Sequence, residues 1–110
     1  MKLALALMAA ALPLQAHAQS KAFNGAWYDS CDHQEYGAAV EISGSDFNYY
    51  TEVYCRLGNP TSIRDMSNAT LFDAECSGEE SHWNERMFIG ESDGTLFVFR
   101  YSGETFHRCD

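Results

Sequence analysis

The sequence predicts an all-β domain: a small antiparallel up-and-down barrel, or a two-sheet sandwich, of about eight short strands stapled by two disulfides. Three observations lead there. Turn signals recur at short intervals, at Gly44, Gly58-Asn59-Pro60, Ser67-Asn68, Ser77-Gly78, Asp93-Gly94 and Ser102-Gly103, with β-branched and aromatic runs between them. Nothing after the first eighteen residues sustains a helical period. Four cysteines, Cys31, Cys55, Cys76 and Cys109, are spread through the chain rather than clustered. Closure removes the exposed edges that invite aggregation, so the barrel is the preferred form.

The chain opens on a secretory signal. Met1-Lys2 is a short positive start, Leu3 to Leu14 is apolar apart from Pro13, and Ala16-His17-Ala18 places small residues where a signal peptidase reads, with cleavage expected after Ala18. The apolar stretch is shorter than the roughly 20 residues a membrane span needs. What remains is enough for one domain, residues 19–110, expected in the periplasm or outside the cell.

Strands are expected over 23–28, 36–43, 47–55, 61–66, 69–76, 81–91, 95–101 and 104–109. In the second, Tyr36, Ala38, Val40 and Ile42 alternate with Gly37, Ala39, Glu41 and Ser43, which gives one buried and one wet face. In the third, Phe47, Tyr49, Thr51 and Val53 are assigned to the core, which turns Tyr50 and Tyr54 outward. The 61–66 segment also fits a helical turn. In the seventh, Leu96, Val98 and Arg100 oppose Phe97, Phe99 and Tyr101, so that strand is apolar on both faces. Ile42 to Phe47, Asp93-Gly94 and Ser102-Gly103 read as tight hairpins. Two Trp, six Tyr and seven Phe stand against few Leu and Ile, so aromatics must build much of the core.

In an oxidising compartment the four cysteines are expected to pair. Three pairings are open to them. In a meander, the ends of the third and fifth strands lie at one end of the barrel, which favours Cys55 with Cys76. Cys31 with Cys109 then ties the first loop to the last strand. The close C-x-x-C pairs of zinc or redox sites are missing.

Loss of the signal removes one basic residue, Lys2, and leaves six against sixteen acidic ones, a balance of −10. That charge repels nucleic acid and anionic membranes and suits a basic partner. No nucleophile elbow or phosphate loop is present. His33, His82 and His107 could each serve as a general base, but no nucleophile is marked for them, and Glu79-Glu80 would point to opposite faces of a strand. Glu80, His82 and Asn84 would share one, a single candidate cation site that lacks the fixed ligand spacing of a calcium loop. No cofactor or metal is expected, and the protein is read as non-enzymatic. Tyr50, Tyr54, Glu80 and Trp83 are the expected contact residues, because exposed aromatics dominate protein interfaces.

Phe23-Asn24-Gly25-Ala26-Trp27 carries a Gly-x-Trp at the start of the first strand. This resembles the entry to calycin-type barrels, among them the lipocalins and the periplasmic inhibitors of alkaline metalloproteases. The resemblance implies a Trp that plugs the barrel base under a late Arg, so that Trp27 would pair with Arg100 or Arg108. That inhibitor family typically has one disulfide, and four cysteines depart from it. The early Trp, the spaced cysteines, Cys76-Ser77-Gly78-Glu79, the Asp93-Gly94 hairpin and Arg108-Cys109 also resemble small secreted four-cysteine bacterial domains of unknown function.

The functional expectation is a monomeric binding domain that recognises another protein, with stoichiometric inhibition of a hydrolase, a protease or a lysozyme, as its specific form. The alternatives are a small-ligand or metal-cation carrier with a mouth lined by Trp27 and Tyr28, and an envelope structural protein with no specific ligand.

Overall fold

The computed structural model describes residues 21–109; the expected signal sequence and its expected cleavage after Ala18 lie outside the described residues. Eight antiparallel strands follow one another in chain order: β1 (Gly25–Trp27), β2 (Val40–Ser43), β3 (Asp46–Tyr49), β4 (Val53–Ser62), β5 (Ala69–Gly78), β6 (Ser81–Ser92), β7 (Thr95–Phe99) and β8 (Gly103–His107). The sheet curls until its edges meet at one antiparallel bridge between Tyr28 and His107, whose backbone groups exchange hydrogen bonds of 2.8 and 2.7 Å. The result is a nearly closed barrel.

Alternation decides what fills it. Val40 and Ile42, Phe47, Cys55 and Leu57, Phe72 and Ala74, Met87 and Ile89, Leu96 and Val98, and Phe106 point inward and are buried. Glu41, Asp46, Arg56, Asp73, Glu75, Asn84 and Arg86, on intervening positions, are exposed. Interior aromatics substitute for the missing aliphatics, as composition required.

Three expected strands are corrected. The expected 47–55 strand is broken by a turn, because Tyr50 and Thr51 adopt left-handed backbone (φ 52° and 56°) and the Glu52 amide donates to the Tyr49 carbonyl at 3.0 Å. No Gly, Asn or Pro marks that turn, so the alternation reads straight through it, and Thr51 is exposed rather than in the core. The expected 61–66 strand is not independent. Thr61 and Ser62 end β4, which runs on through Gly58-Asn59-Pro60 by a register shift between Gly58 and Thr61. A proline is tolerated there because the ladder is already interrupted. The expected 36–43 strand starts only at Val40. Residues 31–36 form a 3₁₀ segment, Gly37 turns the chain at φ 90°, and Tyr36 is exposed instead of inward.

Both disulfides form as the meander argument expected. The route differs for one of them. Because of the turn at 50–52, Cys55 stands on β4 directly opposite Cys76 on β5, with Cα atoms 4.0 Å apart, rather than across the barrel end. Cys31–Cys109 ties the β1–β2 connection to the chain just past β8, beside the barrel seam.

The doubly apolar strand has a structural explanation. Phe97 and Phe99 lie outside, over Gly103, where an added Cβ would come within 2.8 Å of the Phe97 ring, and Phe88 lies over Gly90. Rings thus cover backbone that glycine leaves bare, from the adjacent strand at Gly103 and from the same strand at Gly90.

One end of the barrel is sealed. Trp27 is fully buried, its Nε1 donates to the Phe23 carbonyl at 2.9 Å, and the Arg108 guanidinium sits 4.1 Å over its ring. Arg108 also donates to the carbonyls of Ala22 and Asn24. Of the two candidate arginines, Arg108 is therefore the one that stacks on Trp27. Gly25 makes the arrangement fit: its φ is +131°, and a Cβ there would lie 2.8 Å from Arg108 Nη1. Gly25→Ala is expected to cost about 2 kcal/mol, and less in an Arg108→Ala background, because the clash disappears with the guanidinium. Urea unfolding of the four proteins of that cycle reads the difference; equal costs in both backgrounds would contradict it.

Candidate functional site

In an up-and-down meander the β1–β2, β3–β4, β5–β6 and β7–β8 connections leave the strands toward one end of the barrel. We call this end the rim. Its geometry is unusual in one respect. Among the described residues, eight non-glycine residues have positive φ. Asn59, Asp65, Asn68 and Asp93 are of the types that tolerate it. The other four, Tyr50, Thr51, Glu79 and Glu80, are not, and all four sit in the β3–β4 and β5–β6 hairpin turns of the rim. Left-handed backbone costs such residues about 1–2 kcal/mol each. The β5–β6 turn carries Glu-Glu where Asn-Gly would fit without strain.

What holds these turns is visible below them. Cys55–Cys76 clamps the strands that lead out of the first turn and into the second. Gly78 allows the two turns to touch, since a Cβ there would lie 2.8 Å from the Glu52 carbonyl oxygen. The Tyr50 hydroxyl donates to the Asp29 carboxylate, 2.8 and 2.7 Å from its two oxygens, and the Tyr50 ring meets Tyr49 edge-on at 4.7 Å. Burial and then the Asp29 hydrogen bond push the Tyr50 phenol well above its ordinary range, so it stays a donor.

Beneath the turns the barrel is closed by a polar plug rather than by more apolar side chains. Glu85 and Arg100 form a bidentate ion pair, at 2.6 and 3.0 Å, with side chains only 8% and 10% exposed. Trp83 donates to Glu85 at 2.8 Å, Arg100 lies 4.9 Å over the Tyr49 ring, and the Tyr49 hydroxyl donates to Glu104 at 2.7 Å. Burial, followed by the bond to Glu104, raises the Tyr49 phenol to about 12. For Glu85, burial raises the carboxyl, but the hydrogen bonds from Arg100 and Trp83 outweigh it and leave it below the ordinary value.

The expected contact residues are thus distributed. Tyr50 and Glu80 stand on the rim. Trp83 faces inward, half-buried, as part of the plug. Tyr54 is on the outer wall of β4 with its hydroxyl donating to Asp46 at 2.6 Å, and it meets Trp83 only at a shallow groove that His82, Arg56 and Glu75 also line. Arg100, one of the two arginines considered for Trp27, belongs to the plug instead. Trp27 lines no mouth, being buried at the sealed end. Glu80 is in a turn, so it does not share a strand face with His82 and Asn84, and Glu79-Glu80 do not oppose each other across a strand. Among the described residues no group of three His, Cys, Asp or Glu is placed to hold a metal, and no helix is long and apolar enough to cross a membrane.

The contact residues expected from the sequence leave out Glu85, Asp29 and Tyr36. A signal for Glu85 existed: Trp83, Glu85, Met87 and Ile89 keep strict alternation, so the carboxylate had to point inward with them. Compared with protein-family models, curated proteins and solved structures, the chain finds no match in any of the three.

Proposed function

We propose that this is a non-enzymatic binding domain that grips a basic protein through its rim, and that inhibition of a hydrolase, a protease or a lysozyme, is the outcome when the gripped partner is an enzyme. One observation carries the reading: four strained residues that are neither Gly, Asn nor Asp gather in two turns at one end of the barrel. Backbone strain persists where surrounding structure over-determines it, and it concentrates at ligand clamps. The rest of the rim agrees. Glu52, Glu79, Glu80 and Asp29 are exposed there and offer negative charge, while Tyr50, Tyr36 and Tyr101 expose aromatic surface. Two disulfides and the plug hold the turns in place before binding, which lowers the entropy cost of association. The disulfides are consistent with an oxidising compartment outside the cytoplasm.

The test exploits opposite signs. Replacing Glu79-Glu80 by Asn-Gly relaxes the turn and is expected to stabilise the fold by about 1 kcal/mol or more. The same change is expected to weaken partner binding about tenfold or more. Oxidised residues 19–110 would be immobilised and presented with secreted lysozymes, proteases and an envelope extract. The expected result is one basic partner at 1:1 stoichiometry, released by salt and held poorly by the Asn-Gly variant. A variant that is more stable yet binds equally well, or a wild-type domain that retains no basic protein, defeats the proposal.

A further inference from the structure

Beside the rim, the β1–β2 connection and the β3–β4 turn enclose a cavity of about 350 Å³. Its wall is chemically specific. One carboxylate, Asp29, stands with three rings, His33, Tyr36 and Tyr50; Gly37, Ala38 and Ala39 add backbone and small side chains. His33 and Tyr36 lean on each other with centroids 5.9 Å apart. Tyr36 is 81% exposed, so most of its surface awaits a contact. Tyr50 is fixed by Asp29 on one side and Tyr49 on the other.

We propose that this cavity receives a single cationic side chain, lysine or arginine, from a basic protein. Aromatic faces attract cations through their quadrupole, and a carboxylate among them supplies the balancing charge. The site is held ready. Cys31–Cys109 anchors its loop, Ser30 Oγ accepts from the Asp32 amide, Gln34 Nε2 donates to the Cys31 carbonyl, and the Gly37 amide donates to Gln34. The Tyr50 amide in turn donates to Ala39 at 2.7 Å, which ties the two walls together. Tyr50 gives Asp29 a hydrogen bond but brings no positive charge to it.

This inference rests on the rim reading and specifies its recognition element, and it is tested separately. The probes are N-acetyl-lysine methylamide and N-acetyl-arginine methylamide, with the norleucine analogue as neutral control, titrated into oxidised ¹⁵N-labelled residues 19–110. Amide shifts should be confined to residues 29–39 and 50–51, with a Kd of about 1–10 mM for a cation and none for norleucine. Asp29→Asn keeps an acceptor for Tyr50 and so keeps the turn, but should weaken binding about tenfold. Tyr36→Ala should weaken it several-fold while Tyr36→Phe preserves it; Tyr36 is too exposed for either change to disturb the fold. Shifts with norleucine equal to those with the cations, or no shifts with either cation, overturn the pocket. So does a captured basic partner whose affinity is indifferent to Asp29→Asn and Tyr36→Ala, and that result would leave the rim reading standing. Cation binding without any captured protein would uphold the pocket and defeat the rim reading.

Discussion

Trp27→Ala is expected to destabilise the protein by about 4 kcal/mol, close to the whole of a small domain's stability. Three losses coincide. The largest side chain in the core disappears from a position with no solvent access, and neighbours held in strand registers cannot collapse into the void. The Phe23 carbonyl loses the indole N–H that satisfies it. The Arg108 guanidinium loses the ring under it, and its two remaining carbonyl acceptors, Ala22 and Asn24, lie in and just after the short 3₁₀ segment Lys21–Phe23 that Trp27 holds through the Phe23 carbonyl. Trp27→Phe should cost roughly half as much, because a ring remains but the donor does not. Trp83→Ala is the control: a Trp that is half-buried and open to water should cost about 1–2 kcal/mol. Urea denaturation under oxidising conditions gives all three. If Trp27→Ala and Trp83→Ala cost the same, the sealed end is not where stability is concentrated.

The antiparallel meander was legible because it rests on local signals that the fold does not override, and the disulfide partners came out right although the strand placement argued for Cys55–Cys76 did not. Alternation in Val40 to Ser43 and in Thr95 to Phe99, and Gly at the hairpins after Ser43 and Asp93, mean the same thing in sequence and in space. The β3–β4 turn was not legible. Its residues, Tyr50 and Thr51, favour extended backbone, and only the surrounding contacts force them left-handed. The same applies to Glu79-Glu80. Turns that contradict local preference are silent in a sequence, and here they are also where the candidate site lies. The strand count came out at eight only because the missed turn and the surplus strand at 61–66 offset each other. The Gly-x-Trp resemblance pointed to a Trp–Arg stack, and Gly25 gives that spacing a physical meaning, since the guanidinium occupies the space a Cβ would fill. The cation pocket could not be read at all. Asp29 and Tyr36 are distant in sequence from Tyr50, and only the path of a disulfide-anchored loop brings them together.

Glu85→Ala is expected to cost about 3 kcal/mol at neutral pH, because it strands Arg100 with almost no solvent access. The guanidinium would keep its stack on Tyr49 but lose both carboxylate contacts, and the Trp83 indole would lose its acceptor. Removing both charges should be far less harmful: the Glu85→Met, Arg100→Met double variant fills the plug with apolar atoms and should approach wild-type stability. The ion pair also has a pH signature with a definite sign. Glu85 is held below its ordinary value of 4.5, so the folded state binds this proton less readily than the unfolded chain. Its contribution is complete above that value and is lost as pH falls through the lowered folded value. Stability of the wild type should therefore drop on acidification across that window, and the double variant should show a shallower decline. Denaturant midpoints taken from neutral pH down to about pH 2.5 separate the curves. Parallel declines would mean that other carboxylates, and not the plug, govern acid stability. Since the plug supports Tyr49 and through it Tyr50, the same acidification should loosen the rim before the sealed end, so amides of residues 49–53 should lose exchange protection ahead of those around Trp27.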